Sequence, residues 1–211
     1  MTCRHATSLI QQDYKKTMIS NVKLFSRKTV FMLGLSMLTA VSMTPVTAEA
    51  QVQFRNATTG VLIDFSFGKK GEETEAVKHF METAENKYNQ DEEAIKVGED
   101  LYMTACSGCH GHHVEGKLGP ALGDAYWTYP AGRYDKGFFE IIYDGARAMM
   151  GPQRNNLSID EILKVMAYVR SVYWDDPEKA LWLSEEERAE LVPAEMPDDF
   201  REALDNFNKT H

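Results

Sequence analysis

Two cysteines and a histidine stand together in the middle of the chain, in the order Cys106-Ser107-Gly108-Cys109-His110. Two thiols at this spacing lie on one side of a tight turn, where they can form thioether bonds with the two vinyl groups of a porphyrin. The adjacent imidazole then supplies the proximal ligand of the iron. The motif therefore predicts one covalently bound haem c, held by Cys106, Cys109 and His110.

Three other kinds of site use part of this motif. A thioredoxin-like dithiol usually opens a helix within a βαβ unit, and the sequence shows no such unit. Zinc would need two of the histidines at 110, 112 and 113 in addition to both thiols, at spacings much shorter than those of usual zinc sites. A structural disulfide between Cys106 and Cys109 is the third alternative. The adjacent His110 favours haem over all three.

The sixth iron ligand separates an electron carrier from a haem enzyme or a gas binder. Electron-transfer haems fill this position with Met or His. The run Met149-Met150-Gly151-Pro152 follows the histidine by about forty residues, and its Gly-Pro turn can hold a thioether toward the iron. We predict Met150 as the sixth ligand, with Met149 as the alternative, so that His110 and Met150 together bind the metal.

Residues between the two ligands are predicted to complete the haem site. Proximal imidazoles usually donate their second N–H to a backbone carbonyl, and Pro120 is our candidate for this acceptor. Trp127, with Tyr126 and Tyr129, is expected beside the haem, where its N–H reaches a propionate, or else serves only as a core aromatic. Two cations are alternative propionate partners: Lys117 and Arg133.

Two helices must position these ligands. Asp91 is predicted to cap a helix that runs into Cys106, and the capping box of Ser158 and Glu161 opens a second helix that continues to about Tyr173. Gly98 and Tyr102 share one face of the first helix, and we expect this face to pack against Tyr168. Residues 111–157 are rich in Gly and Pro, and we predict little regular structure there.

Shorter elements flank this core. Two β-rich runs, residues 52–56 and 61–67, predict a small hairpin. An apolar stripe over residues 77–88 predicts an amphipathic helix, and a second S-x-x-E pattern at Ser184 predicts another. Apolar residues at helical spacing over 198–208 predict a last helix in the tail.

The first fifty residues have the features of an export signal. Lys23, Arg27 and Lys28 precede an uncharged stretch that ends in small residues. This pattern predicts a signal peptide, cleaved after Ala50 or, as the second choice, after Ala48. An uncleaved anchor is the alternative, but the stretch reaches the required ~20 residues only by including polar ones. We therefore expect the mature protein to work outside the cytoplasm, without stable membrane insertion.

The charge of the remaining chain excludes one class of partner. Residues 51–211 hold 17 Lys and Arg against 30 Asp and Glu, a net charge of −13. Because an acidic protein repels phosphate backbones, we expect no nucleic-acid binding. The same charge favours a partner with a basic surface.

Several segments together resemble cytochrome c-L, a family of class I c-type cytochromes. The resemblance extends over about residues 51–190 and is carried by five segments, residues 106–122, 124–130, 149–152, 156–161 and 169–173, and residues 53–60 fit the same family. It implies a mainly α class I cytochrome c fold with an N-terminal extension and a C-terminal tail. The implied domains are a signal peptide at 1–50, the extension at 51–90, the cytochrome domain at 91–192 and an acidic tail at 193–211.

The resemblance also implies a function. Members of the family accept electrons one at a time from pyrroloquinoline-quinone (PQQ) methanol dehydrogenase in the periplasm, and pass them to a smaller class I cytochrome c. We expect an electron carrier rather than an enzyme, and a monomer. Two alternatives remain: a carrier for another quinoprotein dehydrogenase, or a haem enzyme or gas binder if Met150 is not a ligand.

Overall fold

The computed structural model describes residues 52–202, apart from Ala148, Pro197 and Asp199. The predicted signal peptide lies outside the described residues. Helices dominate, and no described helix combines the length and apolar character needed to cross a membrane. The α-helices are α1 (Glu75–Thr83), α2 (Glu92–Ala105), α3 (Ser107–His110), α4 (Asp135–Asp144), α5 (Ile159–Ser171) and α6 (Glu185–Glu190), with 3₁₀ turns at Lys87–Gln90, Pro130–Arg133 and Pro177–Lys179.

Helices α2 and α5 make the most extensive helix–helix contact. As predicted, Asp91 caps α2 by accepting a hydrogen bond from the Ala94 N–H, and the capping box of Ser158 and Glu161 opens α5. The two helices touch at Gly98, where an added Cβ would overlap the Lys164 carbonyl. The predicted contact between Tyr102 and Tyr168 is also confirmed, with ring centroids 5.2 Å apart.

Helix α4 corrects the prediction that residues 111–157 hold little regular structure. Eight of its ten residues are buried, and its apolar residues, among them Phe138, Ile141 and Ile142, recur at helical spacing, a pattern that the sequence analysis did not pick out. The helix has no side-chain cap at Tyr134 and contains Gly137, where a Cβ would clash with the backbone of Ala131. Tertiary packing therefore determines this helix.

The N-terminal extension packs on α4 through aromatic rings. The predicted hairpin is reduced to one antiparallel bridge between Arg55 and Leu62, and the two runs form no strands among the described residues. Instead of forming a ladder, Phe54 packs against Phe80 and Phe139 at 5.5 Å between ring centroids. Helix α1 is shorter than predicted, because Ala84 adopts a left-handed conformation that ends it.

A hydrogen-bond network also holds the extension against α5. The Asp160 carboxylate accepts hydrogen bonds from the Tyr88 hydroxyl at 2.7 Å and the Thr74 hydroxyl at 3.0 Å. Lys164 lies 2.7 Å from the same carboxylate. Burial alone would raise the pKa of Asp160. The hydrogen bonds from Lys164, Tyr88 and Thr74 together have a larger effect, so the pKa lies below its usual value.

The segment after α5 folds back onto it. The second capping box, at Ser184 and Glu187, opens α6 as predicted. Trp182 packs edge-on against Tyr173 at 4.9 Å, and Phe200 packs against Trp174 at 5.7 Å. The described residues between 198 and 202 are helical, and the rest of the predicted tail helix lies outside the described residues.

We expect the Gly98→Ala variant of the holoprotein to unfold at lower urea concentration. In a helix, alanine would normally stabilise by about 0.5–1 kcal/mol. Here its Cβ meets the Lys164 backbone, and overpacking of this kind costs about 1–3 kcal/mol. Val97→Ala on the same helix is the control, since Val97 is 45% exposed. A Gly98→Ala variant more stable than wild type would refute the close helix contact.

Asp160→Asn should destabilise the protein by about 1.5–3 kcal/mol at pH 7, because it removes hydrogen bonds to a charged group. The pKa of Asp160 is lower in the folded protein than the unfolded value of about 3.9, so the ionised carboxylate stabilises the fold at pH values above the unfolded pKa. This stabilisation is lost as the pH falls through the folded pKa. The difference between variant and wild type in urea unfolding should therefore shrink below about pH 4. Asp198→Asn, at an exposed ion pair, is the control. A difference that is equal at pH 3 and pH 7 would contradict this role.

Candidate functional site

A cavity of about 520 Å³ lies between α2, α4 and α5. Its walls come from the Cys106–His110 motif, the loop residues 118–122 and 126–129, and the segment that contains Met149 and Met150. On α5, Val165 and Val169 complete the lining. The volume falls within the range usual for cofactor pockets, and the mostly apolar lining suits a large flat aromatic group.

The cysteine motif begins where α2 ends. Cys106 terminates α2 and precedes the single turn α3, whose amides bond back to it: the Cys109 and His110 N–H groups donate to the Cys106 carbonyl at 3.1 and 3.0 Å. The Ser107 hydroxyl donates to the Met103 carbonyl at 2.7 Å. Both thiols line the cavity and are free, so the turn presents two nucleophilic sulfurs to one side.

His110 is nine-tenths buried, and its ring is fixed by one hydrogen bond. Nδ1 donates to the Pro120 carbonyl oxygen at 2.9 Å, the contact predicted from the sequence. Because a carbonyl can only accept, Nδ1 carries the proton and Nε2 keeps its lone pair for a metal. Gly119 makes this approach possible, since a Cβ there would lie 2.6 Å from the imidazole Cε1.

The loop that carries Met149 and Met150, here called the methionine loop, is held by the end of α4. Gly145, with φ +82°, turns the chain so closely that a Cβ there would lie 2.7 Å from the Met150 carbonyl oxygen. The Ala146 N–H donates to that same oxygen at 2.9 Å, and the Gln153 N–H donates to the Ile142 carbonyl at 3.0 Å. Met150 lies half-buried against the core. Met149 also lines the cavity but is 76% exposed.

Three aromatic side chains line the cavity as the sequence predicted: Trp127, Tyr126 and Tyr129. Trp127 packs against Phe138 at 4.9 Å between ring centroids. The Tyr129 hydroxyl accepts a hydrogen bond from the Arg147 N–H at 2.9 Å, which joins this wall to the methionine loop. Tyr126 is 68% exposed and lies at the rim.

The cations at the cavity differ from those expected. Lys117 and Arg133 do not line it, and the Lys117 ammonium lies 3.2 Å from His112 Nδ1. Arg147 does line it, although the sequence analysis did not single it out. Its position three residues before Met150, on the loop that must carry the ligand, was the available signal.

A zinc site does not match this geometry. Burial, with the neighbouring Cys109, raises the pKa of the Cys106 thiol to about 11. In the part of the chain that the structure describes, no three His, Cys, Asp or Glu side chains form a group suited to a metal ion. His112 and His113 are exposed. A haem c fits these residues: two thiols, one oriented imidazole and an apolar cavity.

Comparison with known proteins gives the same result. The family model described as cytochrome c oxidase, cbb3-type, subunit III, matches residues 93–169. Cytochrome c-L of Methylorubrum extorquens is 48% identical over 143 residues, which cover 67% of this chain and 73% of that protein. Cytochrome c-551 of Bacillus subtilis is 37% identical over 59 residues, 28% of this chain and 48% of that protein.

Two solved structures are also similar. Cytochrome cL from the marine methylotrophic bacterium Methylophaga aminisulfidivorans, known from a crystal structure, is 67% identical in sequence. Its TM-score is 0.69, and the match covers 71% of this chain and 99% of that one. Cytochrome cL from Hyphomicrobium denitrificans is 44% identical, with a TM-score of 0.64 over 69% of this chain and 88% of that one. The chain therefore belongs to the cytochrome c-L family, as an electron-transfer cytochrome with the class I cytochrome c fold and one covalently bound haem c.

Proposed function

We propose that this protein accepts electrons one at a time from PQQ-dependent methanol dehydrogenase in the periplasm and passes them to a smaller class I cytochrome c. Membership of the cytochrome c-L family supports this function, as does its similarity to a cytochrome cL from a methylotrophic bacterium. The signal-like pattern of residues 1–50 supports the location. The proposal depends on one observation: His110, oriented by its hydrogen bond to Pro120, and the half-buried Met150 line the same cavity.

In this proposal each residue of the site has one role. Cys106 and Cys109 would hold the haem by thioether bonds, and His110 would bind the iron through Nε2 while the Pro120 carbonyl keeps the proton on Nδ1. Met150 would supply the second protein ligand. When bound, haem supplies a one-electron redox centre whose potential is raised by a methionine ligand.

The remaining lining supports electron transfer without substrate chemistry. A filled sixth position leaves no open site at which oxygen or peroxide binds. Trp127 forms part of the apolar wall that excludes water. Arg147, as a cation on the cavity wall, is placed to form a charge-assisted pair with a propionate.

The partner surface in this proposal is the exposed apolar rim of the cavity. We define the rim as Leu118, Tyr126 and Met149, which line the cavity and are 75%, 68% and 76% exposed. Such a patch suits a small transient contact, because it excludes water without locking the two proteins together. Val114, four residues before Leu118 in the chain, is not part of the rim, because it is fully buried and has a left-handed backbone conformation with φ +57°.

Met150→Ala should leave the haem attached but open its sixth position. The thioethers and His110 still hold the cofactor, so the reduced variant should bind carbon monoxide while reduced wild type does not. The measurement is the absorbance difference spectrum with and without carbon monoxide. Met149→Ala is the matched control and should behave like wild type. The reverse pattern would assign the ligand to Met149, and carbon monoxide binding by wild type would favour an enzyme or gas binder.

Leu118→Ser should slow electron transfer from purified methanol dehydrogenase severalfold, because it removes apolar contact area from the rim. Val192→Ser is the control: Val192 is also a large exposed aliphatic residue, at 86%, but does not line the cavity. Stopped-flow absorbance of haem reduction measures both. Equal rates in the two variants would refute the rim as the docking surface. A wild-type protein that methanol dehydrogenase does not reduce, but another quinoprotein dehydrogenase does, would replace the donor.

A further inference from the structure

A buried ion pair lies directly behind the cavity wall. The Arg170 guanidinium is 3% exposed and the Asp135 carboxylate 5% exposed, with Nε of Arg170 at 3.4 Å from Oδ1 of Asp135. Arg170 also donates from Nη2 to the Gly132 carbonyl at 3.0 Å. Neither residue belongs to the cavity lining or to the proposed ligand set, so haem attachment does not account for them.

The pair has a fixed orientation relative to the cavity. The guanidinium carbon lies 5.2 Å from the ring centre of Trp127 and 4.9 Å from that of Phe138, and both rings line the cavity. The carboxylate instead faces the segment before α2, where its Oδ2 accepts from Asn89 Nδ2 at 2.8 Å and the Asn86 N–H at 3.3 Å. The positive end of the pair is therefore the end beside the cavity.

The segment after α5 seals this cation from water. The ring centre of Trp182 lies 4.1 Å from the Arg170 guanidinium carbon, in addition to the contacts with Trp127 and Phe138. Burial lowers the pKa of Arg170 to about 10, which leaves it protonated at neutral pH. A charge enclosed by three aromatic rings is weakly screened by solvent and salt, and acts over a longer distance than a surface charge.

We propose that Arg170 is a positioning residue for electron transfer, a fixed cation behind the Trp127–Phe138 wall that raises the reduction potential of the haem. One-electron reduction removes one positive charge from the cofactor, so a nearby guanidinium favours the reduced form. The Asp135 carboxylate holds the guanidinium in place and partly offsets its field. This inference rests on the proposed function only in that haem occupies the cavity.

The test compares three variants of the holoprotein by spectroelectrochemical titration. Arg170→Gln should lower the midpoint potential, and Asp135→Asn, which keeps the cation and its three rings, should raise it. We expect each shift to be about tenfold in the equilibrium constant, or about 59 mV for one electron. Lys164→Gln removes a cation from the same helix, at a partly exposed pair with Asp160, and should shift the potential less than either.

Opposite shifts are the signature of charge, because a merely structural defect would move both variants the same way. Shifts of equal sign, no shift in either variant, or a Lys164→Gln shift as large as that of Arg170→Gln would overturn the proposal. If Arg170→Gln does not fold, the sign of the Asp135→Asn shift decides. The absorbance spectra check the ligands separately: a wild-type haem that is not low-spin and six-coordinate would contradict the proposed ligand set, independently of the potentials.

Discussion

The close approach of α2 and α5 at Gly98 is the constraint on which the site depends. Helix α2 ends in the cysteine motif, and α5 supplies the opposite wall through Val165 and Val169. Because the helices meet through backbone atoms at this glycine, the separation of these walls does not vary with side-chain rotamers. Tyr102 extends the constraint into the motif, since its hydroxyl donates to the Gly111 carbonyl at 2.8 Å.

The sequence allowed prediction of the elements whose signals are local. The caps at Asp91 and Ser158 depend on residues three positions apart, and the acceptor Pro120 follows His110 by ten positions; the structure confirms all three contacts. Helix α4 was missed although its apolar residues recur at helical spacing, because no side chain caps its start and the surrounding stretch is rich in Gly and Pro. The packing of Phe54 against Phe80 and Phe139 depends on contacts between distant segments, which no local pattern indicates. Arg147 could have been identified, since it lies only three residues before the predicted ligand Met150, but its place in the cavity lining was not predicted.

Among the described residues that line the cavity, Arg147 is the one cation, and the Arg170–Asp135 pair lies behind the lining. The lining is apolar apart from the thiols, His110, Arg147 and a few neutral polar groups, so little water or counter-charge is available inside to screen a field. An ion pair placed one layer behind this lining, with Arg170 toward Trp127, then acts through aromatic side chains that do not reorient as solvent does. The charged and aromatic groups therefore keep the same orientation before and after each electron transfer, and the local electric field needs no reorganisation.

The N-terminal extension has a role in the site although none of its described residues, 52–90, lines the cavity. Helix α4 is apolar on two sides: Phe138 faces the cavity, while Phe139 packs against Phe54 and Phe80 of the extension. Without the extension, the second side would face water, and a helix this apolar would lose much of the burial that stabilises it. Since the end of α4 holds the loop that carries Met150, the extension stabilises the proposed sixth ligand from the opposite side of the helix.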